Sequence, residues 1–301
     1  TRRSSLGGRG SAGAWSLMGR ARSWGLAYAS HVVHRRDRFA CDHAAMTTAS
    51  IQANGLEVSY TSEGEGPPLL LLHGATSTGT RDWGAQRPLL RAEFRLYMPD
   101  ARGHHRTGYD VREGWRRETL VDDALALADA LGLPRFHVMG LSMGAGTALR
   151  LASRHPERVL SLIAVSPILE REPAASVARR LMDPEAMLRT EPAWSAEQAQ
   201  LHDPHQGHDA WQRLLRAIRD DTQQLVPLTP EELHRSRVPA LLAGGDRDPW
   251  GPLEQAVRAR RQLSDAGLLV VPDCGHVVQA ERPSVFNPAM MQLLRRVRSA
   301  E

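Results

Sequence analysis

Short apolar runs alternate with segments of helical periodicity through most of the chain after Met46. Residues 69–72 are four consecutive leucines, as expected for a strand buried on both faces of a parallel sheet. Between residues 120 and 131, leucine and alanine recur at helical spacing, and Gly132 and Pro134 mark the end of that helix. This alternation predicts right-handed crossovers and an α/β fold with a mostly parallel central sheet covered by helices on both faces.

Further strands are expected at residues 58–61, 94–98, 136–139, 159–165, 238–243 and 268–271, with the Asn54-Gly55 pair as a hairpin turn. The rhythm breaks between Ile168 and Arg237, where Pro, Arg, His and Asp become frequent and helical pieces replace strands. We therefore predict a core formed by residues 46–167 and 238–301, interrupted by a helical cap at residues 168–237.

The first 45 residues show no clear helical or strand period and are rich in Arg, Ser, Gly and Ala. We predict that residues 1–45 form a flexible N-terminal extension. A twin-arginine export signal is the alternative, but Arg9, Arg20 and Arg22 interrupt the apolar core of about 7–15 residues that such a signal needs.

Composition narrows the function classes. The formal net charge is +4, and residues 1–40 hold eight arginines against one acidic residue, so the remainder is mildly acidic and nucleic-acid binding has little electrostatic support. No apolar run approaches the ~18 residues of a membrane-spanning helix. The two cysteines, Cys41 and Cys274, are too few for a disulfide framework, so we expect a reduced, cytoplasmic protein with no membrane partner.

The sequence GLSMGAG at residues 140–146 lies between a predicted strand and a predicted helix. It fits neither the phosphate-loop pattern nor the dinucleotide-binding pattern. It does fit Gly-x-Ser-x-Gly, in which a sharp turn presents the serine as a nucleophile, although a chance turn is the alternative. Gly140 and Gly144 are expected to relieve crowding at the turn, and Gly146 to let the helix pack near the sheet. We predict Ser142 as the nucleophile.

A serine nucleophile needs a histidine as base, and the histidine needs an acid that fixes its tautomer. These partners should follow the serine in the order acid, then histidine, each in a loop after a later strand. Asp248 and His276 satisfy both conditions. Asp246 remains an alternative for the acid, whereas Cys274 is expected to be a packing residue.

A tetrahedral intermediate also needs donors for its oxyanion, usually two backbone N–H groups. Met143, the residue after the nucleophile, is expected to supply one donor. Ala75, in the loop after an early strand, is expected to supply the other. His73 in the same loop precedes the serine and is expected to be structural.

Two histidine-containing segments raise the question of a metal. His104 and His105 are adjacent, and residues 202–209 combine three histidines with two aspartates. Pro204 and Gly207 favour a solvated loop there, in which ligands are not pre-organised. We predict no metal and no cofactor.

Taken in order, these motifs resemble the α/β-hydrolase superfamily, specifically serine hydrolases with a helical cap, across about residues 50–300. The matching stretches are His-Gly at 73–74, Asp-Ala-Arg-Gly-His at 100–104, Gly-Leu-Ser-Met-Gly at 140–144, Gly-Asp-Arg-Asp at 245–248 and Gly-His at 275–276. The resemblance implies that the Asp-x-Arg-Gly loop is structural, and His105 departs from the glycine common there. Serine at the nucleophile position disfavours dehalogenase and epoxide-hydrolase chemistry.

The resemblance implies a serine hydrolase that cleaves carboxylic esters of a small-molecule substrate through an acyl-enzyme. The same triad acting on a C–C bond, lactone, amide or peracid is the alternative, and a non-catalytic ligand receptor or an interaction module belongs to a different class. Large side chains of the predicted cap are expected either to line the substrate pocket or to pack the cap on the core; they are Trp194, Trp211, Leu214, Leu215 and Ile218.

Overall fold

In the computed structural model, residues 46–299 are described, and their centre is an eight-stranded sheet in the order β1-β2-β4-β3-β5-β6-β7-β8. The strands are β1 (Thr47–Ala53), β2 (Leu56–Glu63), β3 (Pro68–Leu72), β4 (Arg95–Pro99), β5 (Phe136–Leu141), β6 (Val159–Val165), β7 (Ala240–Gly245) and β8 (Ala266–Val271). The predicted N-terminal extension, residues 1–45, lies outside the described residues.

The sheet is mostly parallel, which confirms the prediction. Only β2 pairs antiparallel, with β1 on one side and β4 on the other, and the strands from β4 to β8 are parallel to their neighbours. The β1–β2 hairpin closes through Asn54 and Gly55, whose φ angles of 48° and 74° suit the tight turn predicted there.

Helices flank the sheet and fill the connections. They are α1 (Arg87–Leu90), α2 (Thr119–Ala130), α3 (Met143–Arg154), α4 (Ala174–Leu181), α5 (Pro184–Thr190), α6 (Pro192–Gln206), α7 (Ala210–Gln223), α8 (Pro230–Arg235), α9 (Leu253–Gln262), α10 (Val278–Glu281) and α11 (Pro283–Arg298), with short 3-10 helices at Arg81–Trp83 and Val111–Glu113. None of the helices within residues 46–299 combines the length and apolar character needed to cross a membrane.

Side chains of β5 alternate between two apolar cores, one on each face of the sheet. Val138 packs in the cluster that contains Leu149 of α3, whereas Met139 packs in the cluster that contains Phe286 of α11. Because neighbouring strand residues point to opposite faces, a strand covered on both sides must be apolar throughout. This explains why the buried strands appear in the sequence as unbroken apolar runs.

Five helices, α4 to α8, connect β6 to β7 and lie within residues 168–237. We call residues 174–235 the helical insert; that residues 168–237 act as a separate cap domain stays a prediction. The expected loop around Pro204 is wrong, because α6 continues through Pro204 to Gln206 and is followed by Gly207, where φ is 85°. A proline in a helix leaves the carbonyl four residues earlier without its donor. That residue, Gln200, is exposed, so water can satisfy the carbonyl.

Candidate active site

Ser142 occupies the sharp turn between β5 and α3, with φ 53° and ψ −109°. A positive φ at a residue other than glycine stores backbone strain and often marks a functional site. A Cβ on Gly140 would collide with the carbonyl oxygen of Gly144, and a Cβ on Gly144 would lie 2.6 Å from the carbonyl carbon of Leu72. Both glycines are therefore required by backbone contacts at the turn.

Gly146 has a different role from the expected one. A Cβ at this position would lie 3.4 Å from Nη1 of Arg150, a residue of the same helix. The Arg150 guanidinium donates hydrogen bonds to the carbonyl oxygens of Gly146, at 3.3 Å, and of Val226, at 2.6 Å. No strand residue lies within 4 Å of such a Cβ, so the close packing on the sheet expected for Gly146 is not what requires glycine here.

His276 and Asp248 come together in the loops that follow β8 and β7. Nδ1 of His276 lies 2.7 Å from Oδ2 of Asp248, whose side chain is 2% exposed. The other carboxylate oxygen, Oδ1, accepts a 2.9 Å hydrogen bond from the backbone N–H of Trp250. A buried carboxylate at Nδ1 favours the tautomer that leaves Nε2 free to accept a proton.

Asp246, the alternative acid, faces a different partner. Its Oδ1 accepts a 3.2 Å hydrogen bond from the backbone N–H of Cys274, so it braces the loop before His276. Burial, followed by the charge of Glu281, raises the pKa of the Cys274 thiol to about 12. A thiol of that pKa is not a nucleophile near neutral pH, which leaves Cys274 with the packing role expected from the sequence.

Ser142 and His276 both lie at the carboxyl edge of the sheet, after β5 and β8. The ends of parallel strands meet at one edge, which is where ligands bind in open α/β sheets. Within residues 46–299, the structure does not bring Ser142 Oγ into a hydrogen bond with His276. Catalytic hydrogen bonds are often long in the absence of substrate and shorten in the complex.

His73 uses both ring nitrogens to join two loops. Nδ1 lies 2.7 Å from the carbonyl oxygen of Gly74, and Nε2 accepts a 2.9 Å hydrogen bond from the backbone N–H of Ala101. The loop after β3 is thereby tied to the loop after β4. This is the structural role expected for His73.

Asp82, which the sequence did not single out, holds the loop that carries Ala75. Its Oδ2 accepts a 2.7 Å hydrogen bond from the backbone N–H of Gly74, and its Oδ1 accepts one of 2.7 Å from Ser77 Oγ. The side chain of Gln279, three residues after His276, donates a 3.3 Å hydrogen bond to the carbonyl oxygen of Asp82. Asp82 therefore links this loop to the one that carries His276.

Ala75 and Met143 pack in one apolar cluster beside the turn. Met143 is the first residue of α3, so its N–H has no carbonyl acceptor within the helix. Trp250, two residues after Asp248, packs against the same cluster. The structure thus brings both expected oxyanion donors and the acid-bearing loop to one apolar surface.

His105 takes a left-handed conformation, with φ 44°, at the position where the resembling proteins commonly have glycine. Its Nδ1 lies 3.0 Å from Oδ2 of Asp100, and Oδ1 of Asp100 accepts a 2.9 Å hydrogen bond from the backbone N–H of Gly79. Burial opposes ionisation of Asp100, but the hydrogen bonds from His105 and Gly79 outweigh it and hold the pKa of the carboxyl below its usual value. The departure thus replaces a glycine with a side chain that anchors Asp100.

Three histidine rings lie close together where α6 of the helical insert meets the loops after β3 and β4. The ring centroids of His73 and His104 are 4.9 Å apart, and those of His104 and His202 are 5.8 Å apart. Burial lowers the pKa of His104 well below its ordinary value, so its ring is neutral near neutral pH. Across residues 46–299, no three His, Cys, Asp or Glu side chains are arranged to hold a metal ion.

The large side chains of the helical insert mostly pack rather than face open space. Those of α7 are at most 4% exposed and join the cluster that contains Met143; they are Trp211, Leu214, Leu215 and Ile218. Trp194 of α6 is only partly buried, and its ring centroid lies 6.0 Å from that of Trp211. Of the expected pocket-lining residues, Trp194 keeps an accessible surface near the site.

Comparisons with known proteins agree with this fold. The chain matches the model of the Alpha/beta hydrolase family over residues 69–289. It is 25% identical to a 2-hydroxy-6-oxononadienedioate/2-hydroxy-6-oxononatrienedioate hydrolase of Pseudomonas putida. The 265 aligned residues cover 80% of this chain and 92% of that protein. It is 28% identical to the 2-hydroxymuconate semialdehyde hydrolase of Pseudomonas sp. (strain CF600). The 258 aligned residues cover 78% of this chain and 89% of that protein.

Among solved structures, the fold is similar to that of a bacterial membrane phospholipase A. The TM-score is 0.71 and the sequence identity 25%, with 85% of this chain and 87% of the phospholipase chain covered. The family match covers most of the described residues, including both β5 and the loop of His276. The chain therefore belongs to the alpha/beta hydrolase family and has a hydrolase role.

Proposed function

We propose that Ser142, His276 and Asp248 form the catalytic triad of a hydrolase that cleaves a carbon–carbon bond next to a carbonyl group in a small molecule. The contact that carries the proposal is the 2.7 Å hydrogen bond between His276 and the buried Asp248. The strained turn at Ser142, at the same edge of the sheet, supports it. That the chain is a hydrolase follows from its membership of the alpha/beta hydrolase family.

The names of two relatives favour carbon–carbon cleavage over ester cleavage. One is named a hydrolase of 2-hydroxy-6-oxo dienedioic and trienedioic acids, and the other a hydrolase of 2-hydroxymuconate semialdehyde. Compounds of these names contain no ester or amide bond. Hydrolysis of a 2-hydroxy-6-oxo acid must therefore break a bond between two carbons, and we extend that chemistry to this chain as a proposal.

In the proposed reaction, His276 takes the proton of Ser142 Oγ as the oxygen adds to the substrate ketone, and Asp248 stabilises the imidazolium that results. The N–H groups of Ala75 and Met143 hold the oxyanion of the tetrahedral intermediate. Collapse of this intermediate breaks the carbon–carbon bond, and the leaving carbon takes a proton from His276. Water then hydrolyses the acyl-enzyme with His276 as the base, and no cofactor enters any step.

Ester hydrolysis is the second candidate. The same residues perform it when an alcohol is the leaving group, and a lactone, amide or peracid needs only a different substrate pocket. The similarity to a protein named a phospholipase A, whose reaction is ester cleavage, supports this candidate. We place the activity in the cytoplasm, with a small-molecule substrate and without nucleic-acid or membrane partners, as composition suggests.

The decisive experiment compares the activity of wild type and of Ser142→Ala on two substrates. One is 2-hydroxymuconate semialdehyde, a vinylogous keto acid, and the other is p-nitrophenyl butyrate. Wild type should cleave the keto acid with the higher kcat/KM and should be labelled by a fluorophosphonate. Ser142→Ala should lose turnover of both substrates and the label. Turnover that persists in the variant contradicts the triad, and faster cleavage of the ester favours the second candidate. Labelling of wild type with no turnover of either substrate identifies a ligand receptor instead.

A further inference from the structure

Helix α6 reverses the usual arrangement of a helix that packs on a protein core. Its buried residues are Ser195, Gln198 and His202, and all three are polar. They are spaced three and four residues apart, so they share one face of the helix. We call them the polar face of α6. Such residue types are mostly exposed in proteins, and buried examples are normally hydrogen-bonded.

The polar face leaves its hydrogen-bonding groups without partners inside the described chain. Within residues 46–299, Ser195 Oγ, both amide atoms of Gln198 and Nε2 of His202 form no hydrogen bond. Two other buried glutamines, Gln86 and Gln279, have only Oε1 unpaired, because each donates through Nε2 to a carbonyl oxygen. An unpaired buried amide is costly, so a side chain with two unpaired ends calls for an explanation.

Contacts on both sides of the polar face place α6 over the loops of the candidate active site. Arg81, in the loop after β3, donates a 2.6 Å hydrogen bond to Glu197 of α6. The backbone N–H of His105, in the loop after β4, donates a 3.0 Å hydrogen bond to Nδ1 of His202. Gln198 lies between these two attachments along the helix.

The neighbours of the polar face complete the placement. Trp194 and Ala199 of α6 pack against the apolar cluster that contains Met143 and Ala75, the expected oxyanion donors. The buried side of α6 therefore faces the carboxyl edge of the sheet, where Ser142 lies. The three polar side chains are at most 2% exposed, so a substrate reaches them only when it displaces part of the contact between α6 and the loops.

The polar face carries no charge near neutral pH. Serine and glutamine are uncharged. Burial, aided by the nearby His73 and His105, lowers the pKa of His202 to about 4. The backbone of Thr76 and the charge of Asp100 favour protonation in part, but they do not offset the effect of burial on this pKa. The face thus offers donors and acceptors without a positive charge.

We infer that the polar face of α6 recognises a neutral oxygen group of the substrate, a ketone or a hydroxyl, on the part that faces the helical insert. The inference rests on the proposed function, since it assumes that Ser142 attacks a carbonyl group of the same molecule. Gln198 is the specificity-determining residue, because its Nε2 donates to a ketone oxygen and its Oε1 accepts from a hydroxyl. A carboxylate at this place gains no charged partner from the face.

Three esters of matched size test the inference: p-nitrophenyl levulinate, which carries a ketone, p-nitrophenyl valerate, which carries an alkyl chain, and mono-p-nitrophenyl succinate, which carries a carboxylate. The measurement is the rate of p-nitrophenolate release, including the first-turnover burst. Wild type should cleave the levulinate ester (the keto ester) about tenfold faster than the valerate ester (the alkyl ester). It should cleave the succinate monoester most slowly.

Gln198→Leu should remove the preference, so that the ratio of the keto-ester rate to the alkyl-ester rate falls from about ten to about one. Gln200→Leu, on an exposed position of the same helix, is the matched control and should keep the preference. Because leucine removes two unpaired buried groups, the melting temperature of Gln198→Leu should be unchanged or raised. Ser195→Ala should show the same loss of preference to a smaller degree, and it serves if Gln198→Leu does not fold.

Other outcomes separate this inference from the proposed function. Equal rates for the levulinate and valerate esters overturn the inference, and so does a preference for the succinate monoester. A lower melting temperature of Gln198→Leu with all three esters slowed equally assigns Gln198 a structural role and also overturns it. Fluorophosphonate labelling of Ser142 without acylation by the keto ester counts against the inference alone. Absence of both labelling and ester reaction refutes the proposed function.

Discussion

The loops at the strand ends and helix α6 are in direct contact, but their buried polar side chains differ in hydrogen bonding. His73, Asp82 and Asp248 each have both polar side-chain atoms hydrogen-bonded. On α6, Gln198 has neither amide atom paired within residues 46–299. Groups that hold a reaction geometry must be fixed before substrate arrives, whereas groups that recognise a substrate are completed by it.

Asp248→Asn is expected to give the largest effect, because it changes a fully paired group at the centre of the proposed triad. An asparagine can turn its NH₂ group toward Nδ1 of His276, which favours the tautomer with the proton on Nε2, and a loss of about 10⁴ in kcat is expected. The measurement is steady-state turnover of the best substrate, with circular dichroism to verify folding. Asp246→Asn is the matched control and should lose less than about tenfold, since Asp246 contacts the Cys274 backbone instead. Similar losses in both variants would mean that Asp248 only braces the loop.

Asp82→Asn tests whether a hydrogen-bonded carboxylate that contacts the loop of Ala75, but not the substrate, also supports the reaction. Asparagine keeps an acceptor for Gly74 but carries no charge, and Ser77 Oγ must accept from its NH₂ group instead of donating, so the hydrogen bonds that hold the loop of Ala75 weaken. If that loop donates to the oxyanion, kcat should fall by about 10² while KM changes little. Asp220→Asn, at an exposed pair with Arg219 on α7, is the control and should leave kcat unchanged. A rise in KM without a fall in kcat would assign Asp82 to substrate binding rather than to the oxyanion loop.

The fold was predictable because buried parallel strands require apolar residues at every position, as the run at residues 69–72 illustrates. The sharp turn at Ser142 was predictable because it requires glycine at fixed spacing on both sides. Asp248 and His276 followed from the order of strands along the chain, and structure brings these two into contact. In each case the physical requirement acts locally or through topology, so the sequence displays it directly.

The features that the sequence did not predict depend on tertiary contacts. Asp82 has no distinguishing pattern, because its role arises only when the loop folds back and places Gly74 beside it. Ser195, Gln198 and His202 have the composition of a solvent-exposed helix face, and only packing of α6 on the loops buries them. The expected loop at Pro204 was wrong for a related reason, since Gln200, whose carbonyl loses its helical donor, lies on the exposed side of the helix, where a proline is tolerated.

His202 is the residue at which the two regions meet, and it gives the smallest of the expected effects. Its Nδ1 is paired with the His105 backbone of the core, whereas its Nε2 is unpartnered on the polar face. A histidine in the unfolded chain binds a proton below about pH 6.5. In the folded protein His202 resists protonation until its lowered pKa of about 4. Since the unfolded state binds more protons in this window, stability must fall as the pH drops through it.

The free energy of unfolding of wild type should therefore decrease by about 2 kcal/mol more between pH 7 and pH 5 than that of His202→Asn. Asparagine keeps an acceptor in the place of Nδ1 and does not titrate, so the hydrogen bond from His105 is preserved. The measurement is urea unfolding at each pH, and His208→Asn, a 90% exposed position, is the control that should follow wild type. If His202→Asn also follows wild type, His202 takes up its proton without opening the contact between α6 and the core, and the polar face would become positively charged in mild acid.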